Sequence, residues 1–385
     1  MKTSRTVNEP AVQFINGLLA SGNDVAAILD GRHLPMGSHH QKVVIVGVGG
    51  KLIAYVGGIE FNRDRILPPL ADEPGSPLFD ISVRLQDAGA FLVLETFIAR
   101  WNFHPNKLGA PLRGESVALP LPAGGPLAIQ VTHTYGRGFP FVSAVQTAST
   151  ALANGIRSAR QFFYMEDQYF VGSPKMVSAI HDALSLNPTL IGIIVIAAEN
   201  SVADLPDLPF RRRDFLKPLA TLFPGRFLIF ERLGGGSTIG PTAYVHTKLL
   251  IVDDEAAFIG SVNSNRRSWF HDSEIDVTIV DTSGPGGIVP GTRGVVRDFR
   301  CNLWSQHFTL GSALLGDFAF CLTIWQAIIS AANIVLIGGN LVDISGTVSV
   351  RPYNVSATVP RFAIAGVPVD SKLLELAWNT LEDPS

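Results

Sequence analysis

Residues 245–253 read Val-His-Thr-Lys-Leu-Leu-Ile-Val-Asp. His246 and Lys248 are two positions apart, so on a strand their side chains point to the same face. The apolar run Leu249 to Val252 is short and continuous, which predicts a strand that is buried on both faces. Asp253 then predicts a turn. This stretch therefore sets an imidazole and an ammonium side by side at the start of a core strand.

A second group of polar residues follows the predicted return strand. Gly260-Ser261-Val262-Asn263 begins with a glycine, which lets the backbone come close to a bound group. Ser261 and Asn263 offer a hydroxyl and an amide for hydrogen bonding. Together with the imidazole and the ammonium, these groups suit an anionic oxygen cluster such as phosphate. A histidine can attack phosphorus, and a second histidine can protonate the leaving oxygen.

A weaker copy of the same pattern lies near the N-terminus. His40-Gln41-Lys42 precedes the apolar run Val43 to Val46, and Gly57-Gly58-Ile59-Glu60 follows. Two copies of one pattern predict two structural repeats that build one shared site. The first copy departs from the second, because Gly47 stands at the position that corresponds to Asp253 and the turn that follows is longer.

These residues resemble the motifs of the phospholipase D superfamily, in which two H-x-K-x4-D motifs from two repeats share one active site. Further stretches resemble the phospholipid-cleaving branch of that superfamily, and the similarity runs from about residue 10 to beyond residue 310. The stretches are Ser38-His39-His40-Gln41-Lys42, Tyr55-Val56-Gly57-Gly58-Ile59-Glu60, Tyr164-Met165-Glu166-Asp167-Gln168-Tyr169-Phe170 and Arg300-Cys301-Asn302-Leu303-Trp304-Ser305-Gln306-His307.

The resemblance implies an α/β fold of two similar lobes, each a mixed sheet flanked by helices, related by a pseudo-twofold axis. We expect a first repeat over residues 1–140, a second over 141–312, and a C-terminal helix and extension over 313–385 that packs on the lobes. The Gly- and Pro-rich residues 120–140 are expected to connect the lobes. The two His-x-Lys pairs are expected to face each other across the axis.

The resemblance also implies roles for individual residues. His40 is expected to be the nucleophile and His246 the general acid, although the sequence barely separates these two roles. The groups expected to stabilise the phosphoryl oxygens are Lys42, Lys248, Asn263 and Ser261. Asp80 and Glu274 are expected to orient the histidines. Asp253 is expected to be largely architectural, with Glu166 and Gln168 hydrogen-bonded beside the site. No metal and no cofactor are expected.

The first repeat looks shorter than the second. It offers a helix over about residues 10–20 and one strand over 24–29 before its motif, and no opening strand is expected. The second repeat can be laid out in full as strand, helix, strand, helix and strand, over residues 162–170, 174–186, 190–197, about 215–222, and 226–230. The shortened layout and Gly47 together leave open a degenerate member that binds lipid or a protein without catalysis.

Composition bounds the function classes. The chain has 385 residues, a net charge of −3 and 46% hydrophobic residues. The low positive charge argues against a nuclease, because binding a phosphate backbone normally draws on an excess of Lys and Arg. The cluster Arg211-Arg212-Arg213 is expected to be a solvated helix start. Cys301 and Cys321 lack metal-site spacing and are expected to be buried free thiols.

Two further expectations concern the membrane. No apolar signal-peptide core is visible near Met1, which favours a cytoplasmic protein or export by a signal-independent route. Residues 318–342 carry no charge, yet their polar positions form one helical stripe, which favours a core helix followed by a strand. An interfacial membrane helix is the alternative for this segment.

The sequence therefore predicts hydrolysis of a glycerophospholipid through a phosphohistidine, at a membrane or micelle surface and without a nucleic-acid partner. The product would be phosphatidic acid. Two alternatives stay open. One is another phosphodiesterase or phosphatidyltransferase of the superfamily, of nuclease or cardiolipin synthase type. The other is the non-catalytic member.

Overall fold

The structure is a computed structural model. It describes residues 4–31, 33–34, 37–60, 78–114, 127–136, 143–198, 208–233, 244–281, 294–330, 334–337, 340–343, 348–357, 363–364 and 367–368. The helices within these ranges are α1 Ser4–Ala20, α2 Ala88–Phe103, α3 Thr147–Ser158, α4 Pro174–Leu186, α5 Leu208–Leu222, α6 Arg266–Phe270, α7 Val295–Phe308 and α8 Phe318–Ile329. No helix in these ranges combines the length and hydrophobicity that a membrane span requires.

The strands fall into one large sheet, one small sheet and three short pairs. They are β1 Val43–Val48, β2 Lys51–Gly57, β3 Leu78–Phe79, β4 Ser82–Gln86, β5 Leu127–Tyr135, β6 Val145–Gln146, β7 Phe162–Asp167, β8 Ile191–Ala197, β9 Phe227–Arg232, β10 Tyr244–Val245, β11 Lys248–Val252, β12 Ala256–Gly260, β13 Glu274–Asp281, β14 Ile334–Ile337, β15 Asn340–Asp343, β16 Val350–Pro352, β17 Ala363–Ile364 and β18 Val367–Pro368.

The large sheet has nine strands in the order β16-β9-β8-β7-β11-β12-β13-β5-β6. Its strands β7, β8 and β9 are parallel, and the other neighbours run antiparallel. One face packs against α3 and α4, while the other packs against α7 and α8. Strands β7, β8, β9 and β11 read as apolar runs because both of their faces are covered. This mixed sheet with flanking helices confirms the predicted α/β class.

The small sheet repeats part of the large one. Its order is β1-β2-β4, with both pairs antiparallel, and this matches β11-β12-β13 in the large sheet. Leu52, Ala54 and Val56 of β2 pack in one apolar cluster with Ile275 and Val277 of β13. The apolar faces of the two repeats therefore join in a shared core. The domain boundaries at residues 140 and 312 stay a prediction.

The strand predicted over residues 24–29 does not form. This segment runs without a strand partner among the described residues, and its backbone bonds instead to a side chain of α1. The side-chain amide of Asn16 donates to the Ala27 carbonyl at 3.0 Å and accepts from the Ala27 amide at 2.8 Å. A single asparagine thus replaces the ladder that a strand would need.

The prediction that residues 120–140 connect the lobes is also wrong for the middle of that range. Residues 127–135 form β5, which pairs along its length with β13. Its flanks at 115–126 and 137–142 lie outside the described residues. The pattern Leu-Ala-Ile-Gln-Val-Thr-His-Thr-Tyr alternates apolar and polar residues, which is the ordinary signal of a half-buried strand.

Other predicted elements hold. The helix over 174–186 is confirmed as α4, and the strands of the second repeat are confirmed within a few residues. Helix α5 begins earlier than predicted, at Leu208, and Arg212 within it is fully buried, so the basic cluster is not a solvated helix start. Residues 318–329 form the predicted core helix, α8. Cys301 and Cys321 are buried free thiols.

The structure explains why Gly47 differs from Asp253. The Asp253 carboxylate accepts the backbone N–H groups of Arg160, Gln161 and Phe162 at 2.7–2.8 Å, and so anchors the start of β7 to the end of β11. The first hairpin is longer, and its residue 47 lies inside β1, opposite Leu52. A Cβ atom at Gly47 would meet nothing within 4 Å. A side chain at this position would therefore begin in open space, whereas that of Asp253 begins beside three backbone amides.

We expect Asp253→Ala to lower the free energy of unfolding by about 3 kcal/mol, because it leaves three backbone amides at a buried site without their acceptor. Asp253→Asn keeps one acceptor oxygen and should lose less. Gly47→Asp should change stability by less than about 0.5 kcal/mol, as for an ordinary surface substitution. Urea unfolding of the three variants checks this. A large gain from Gly47→Asp would contradict the structural explanation.

Candidate active site

Each H-x-K segment lies against the other repeat. The His40 amide donates to the Ser273 carbonyl at 2.9 Å, and the His246 amide donates to the Phe79 carbonyl at 2.8 Å. A parallel bridge joins His39 to Ser273, and β10 pairs in parallel with β3. The two contacts are equivalent, because Ser273 precedes Glu274 and Phe79 precedes Asp80. This exchange brings each motif beside the acid of the opposite repeat.

Both motif histidines bond to a carboxylate of the opposite repeat. His40 Nδ1 lies 2.9 Å from Glu274 Oε2, and His246 Nδ1 lies 2.7 Å from Asp80 Oδ2. His40 Nδ1 also lies 2.9 Å from the Ser261 carbonyl. Carboxylates and carbonyls only accept, so Nδ1 carries the proton in both rings. Nε2 is then the nitrogen that can act on a phosphorus or a leaving oxygen.

The two motif lysines are held beside these histidines. Lys42 Nζ donates to the His40 carbonyl at 2.9 Å and lies 3.5 Å from Glu60. Lys248 Nζ donates to the His246 carbonyl and, at 2.7 Å, to the side chain of Gln168. Each lysine therefore folds back on its own motif, with the ammonium next to the histidine two residues earlier.

Burial shifts the pKa values on the His246 side. Burial is the largest cause that lowers the pKa of Lys248, to about 8, and the Lys42 charge acts in the same direction. The pKa of His246 is lowered to about 4 by burial first and by the Lys248 charge second, against the opposing effect of Asp80. The effect of the Lys42 charge on Lys248 supports one shared site.

Glycines give the carboxylates their space. A Cβ atom at Gly58 would lie 2.3 Å from an Asp80 oxygen, so no other residue fits there without displacing the acid. The equivalent position in the second repeat is Ser261, which is buried and donates its hydroxyl to Glu274 Oε2 at 2.5 Å. The Ser261 hydroxyl therefore holds the Glu274 carboxylate, and a contact of Ser261 with phosphate stays a prediction.

The remaining predicted residues take distinct places. Asn263 is buried after β12, and Glu60 occupies the equivalent position in the first repeat. The two halves of the site therefore carry an amide on one side and a carboxylate on the other. Asp253 lies at the far end of β11, where it bonds to backbone amides, so it is architectural as expected.

A buried network supports the second motif from behind. Thr247 donates its hydroxyl to Glu166 at 2.8 Å, and Glu166 also bonds to Tyr164 and, at 2.7 Å, to His307. His307 is fully buried, which agrees with the structural role expected for it. Thr247, which lies between β10 and β11, is thereby connected through Glu166 to His307 of α7.

Two supporting residues were not found by sequence reasoning. The Asp167 carboxylate accepts the amides of Tyr169, Phe170 and Ser264 at 2.6–2.9 Å. Arg212 donates to the carbonyls of Gln168, Tyr169 and Ala197 at 2.6–3.0 Å. Both fix the turn that presents Gln168 to Lys248. The sequence signals were indirect: a carboxylate at a strand end, and an arginine within the cluster Arg211-Arg212-Arg213.

A different network supports the first motif. Arg100 of α2 contacts Asp30 at 2.8 Å and donates to the Gln41 side chain, while Gln41 donates to the Glu274 carbonyl at 3.0 Å. His39 also contacts Asp30, at 3.1 Å. Sequence reasoning missed Asp30 and Arg100 because they lie far from the motif along the chain, and neither belongs to a recognisable pattern.

Comparisons with known proteins find phospholipase D families and relatives. The family described as "Cardiolipin synthase, PLD-like domain" matches residues 152–285, and the family described as "Phospholipase D" matches residues 240–357. Phospholipase D A of Dictyostelium discoideum is 24% identical over an alignment 358 positions long. This alignment covers 71% of this chain and 27% of that protein. Phospholipase D2 of Bos taurus is 26% identical over 62% of this chain and 31% of its own length.

The chain thus spans less than a third of the length of these two relatives. Among solved structures, the phosphatidylserine synthase of Haemophilus influenzae is similar with a TM-score of 0.40 and 12% identity, over 60% of this chain and 56% of that one. The two family matches together span residues 152–357, which include His246 and Glu274. The chain belongs to the phospholipase D superfamily.

Proposed function

We propose that this protein cleaves a glycerophospholipid at the phosphodiester bond to the head group, through a phosphohistidine. The observation that carries the proposal is the crossed pairing of His40 with Glu274 and of His246 with Asp80. Two imidazoles, each with Nδ1 held by an acid, and two ammonium groups beside them are the groups that in-line transfer at phosphorus requires.

The reaction would run in two steps. In the first, Nε2 of one histidine attacks phosphorus, an N–P bond forms, and the P–O bond to the head group breaks. The second histidine gives its proton to the departing oxygen. In the second step that histidine takes a proton from water, the water oxygen bonds to phosphorus, and the N–P bond breaks. Lys42 and Lys248 stabilise the charge on the phosphoryl oxygens throughout.

The environment of His246 bears on which histidine attacks. An attacking imidazole must be neutral, whereas a general acid must carry a proton. The lowered pKa of His246, about 4, keeps this ring neutral at neutral pH. His40 is the more exposed ring, and its Glu274 partner can stabilise an imidazolium. This favours His246 as the nucleophile and His40 as the acid, the reverse of the order expected from the resemblance.

The surface of the first repeat supports a lipid substrate. Twelve of the eighteen large apolar side chains that are exposed in the described residues lie within residues 14–112. A cavity of about 660 Å³ beside the site is lined by Lys42 and Glu60 together with Val43, Val44 and Tyr55. An apolar groove that meets an ammonium suits an amphiphile better than a nucleic acid, which would need a basic surface.

Two alternatives make different demands. A matched family is described as cardiolipin synthase, and such a transferase would hand the phosphatidyl group to an alcohol and not to water. The non-catalytic alternative rests largely on Gly47, and Gly47 lies within β1 with no contact to the histidine–carboxylate pairs. Adding a primary alcohol to the assay separates hydrolysis from transfer.

We expect His246→Ala to reduce head-group release from phospholipid micelles by about 10²-fold or more, because it removes a group that reacts directly. His181→Ala, at an exposed histidine, serves as the matched control and should leave the rate unchanged. Single-stranded DNA should be cleaved poorly by the unchanged protein. Rapid DNA cleavage without head-group release would reject the lipid substrate.

Trapping should identify the nucleophile. A nitrophenyl phosphodiester has a leaving group that needs no general acid, so it should label His40→Ala with an acid-labile phosphoryl group. His246→Ala should take up no label, because the attacking ring is gone. The converse pattern would restore His40 as the nucleophile. Absence of label from the unchanged protein and both variants would favour the non-catalytic alternative.

The pH dependence should report the buried lysine. Lys248 is charged below its pKa of about 8, so kcat/KM should fall above pH 8 as the ammonium loses its proton. The fall in kcat (the alkaline limb of its pH profile) should occur at higher pH than the fall in kcat/KM, because a bound phosphate anion stabilises the charged lysine. Lys248→Arg keeps its charge and should lose this limb, at a lower rate. An unchanged limb in that variant would assign it to another group.

A further inference from the structure

Asp276 lies directly behind the acid that serves His40. It follows Glu274 by two residues on β13, so both side chains point to the same face of the strand. Its side chain is buried, with 3% of the residue exposed. Opposite it across the sheet are Gly260 on β12 and Thr132 on β5. Nothing in the chemistry proposed above uses this second carboxyl.

Two oxygens of this pair have no hydrogen-bond partner among the described residues. They are Glu274 Oε1 and Asp276 Oδ1, and both are inaccessible to solvent. Gly260 makes room for the arrangement, because a Cβ atom there would lie 1.8 Å from Asp276 Oδ1. Two buried acceptors without a donor are costly, whereas one proton on either acid supplies a donor for the pair.

Among the described residues of β12, α3, β5 and β13, no positive charge pairs with Asp276. Gly260 and the rest of β12 carry no charge, and the one charged residue of α3, Arg157, pairs with Asp182. His133 of β5 points away and bonds to Thr96. The nearest charge on its own strand is Glu274, which is negative. Burial first, and Glu274 second, raise the pKa of Asp276 well above its usual value, against the opposing effect of a hydrogen bond from the Val262 backbone amide.

The first repeat places a neutral hydroxyl at the same position. Ser82, the first residue of β4, follows Asp80 by two residues, as Asp276 follows Glu274. A Cβ atom at Gly57 would lie 2.4 Å from the Ser82 hydroxyl, so a glycine opens the space in both repeats. A protonated aspartic acid is the carboxyl equivalent of that serine, since each offers one O–H group and no charge.

We propose that Asp276 is a positioning residue that works as a neutral acid. Its O–H is a donor directed toward Glu274, and the single negative charge stays on Glu274, where it orients His40. This inference rests on the proposed function for its catalytic consequence. Its structural part does not, because the protonation state of Asp276 also affects stability.

Thermal unfolding against pH tests the protonation state without any substrate. The unfolded carboxyl ionises near its usual pKa of 3.8, whereas the folded one stays protonated to higher pH. Between these two values the folded state holds one more proton, so stability falls as pH rises, by up to tenfold in the unfolding constant per pH unit. Asp276→Asn removes this loss and should gain stability relative to the unchanged protein as pH rises from 4.

Thr278→Val is the matched control, because it removes a buried polar group from the next position on the same face of β13. Its stability difference from the unchanged protein should not vary with pH. If Asp276→Asn also shows a constant difference, or loses stability as pH rises, then Asp276 is ionised in the folded protein and the inference is overturned.

Kinetics test the positioning role. Asp276→Asn keeps an uncharged donor, so kcat should stay within about threefold of that of the unchanged protein. The fall in rate at acid pH (the acid limb of the pH profile) should occur at the same pH in both. Asp276→Ala removes the donor, and kcat should fall about tenfold with KM nearly unchanged. A shift of the acid limb in Asp276→Asn, or equal rates in both variants, would overturn the role. If the unchanged protein has no activity, the proposed function fails while the unfolding comparison still decides the state of Asp276.

Discussion

The exchange of carboxylates between the repeats is the constraint on which the rest of the site depends. Glu274 serves His40, and Asp80 serves His246, so neither repeat can build a functional histidine from its own residues. The acids must arrive in register, and the backbone bonds from His40 to Ser273 and from His246 to Phe79 set that register. Shifting either contact by one residue would turn the acid to the opposite face of its strand.

The two repeats hold their motif strands in place with different supporting residues. In the second repeat the motif strand β11 is central in the large sheet, with β7 on one side and β12 on the other. Its supporting groups Glu166, Asp167 and Arg212 are buried and bonded within that core. In the first repeat β1 pairs only with β2 among the described strands, and the support comes from Arg100. The asymmetry explains why Lys248 is deeply buried while Lys42 keeps some exposure.

Much of the site could be predicted from the sequence because its residues cluster in motifs. The H-x-K spacing, the acids and the glycines are short-range signals, and a strand turns them into shared faces. Asp30 and Arg100 could not be predicted, because their roles come from tertiary contacts. The strand expected over residues 24–29 failed because Asn16 satisfies its backbone. Residues 127–135 were misread as a connection because flanking Gly and Pro residues outweighed a clear alternating pattern.

Charge balance connects these features to the chemistry. Within the described part of the chain, the charged side chains that belong to the two H-x-K pairs or bond to them are Lys42, Lys248, Asp80, Glu274 and Glu60, two positive and three negative. With both histidines neutral the site is negative by one charge, and an arriving phosphodiester would make it negative by two. Protonation of one histidine offsets that increase, and an attacking and a donating ring are then present together.

An ionised Asp276 would add a further negative charge behind Glu274 and weaken binding of the anion. With a neutral Asp276, binding of the anionic substrate itself favours protonation of one histidine, which is the state that the reaction needs.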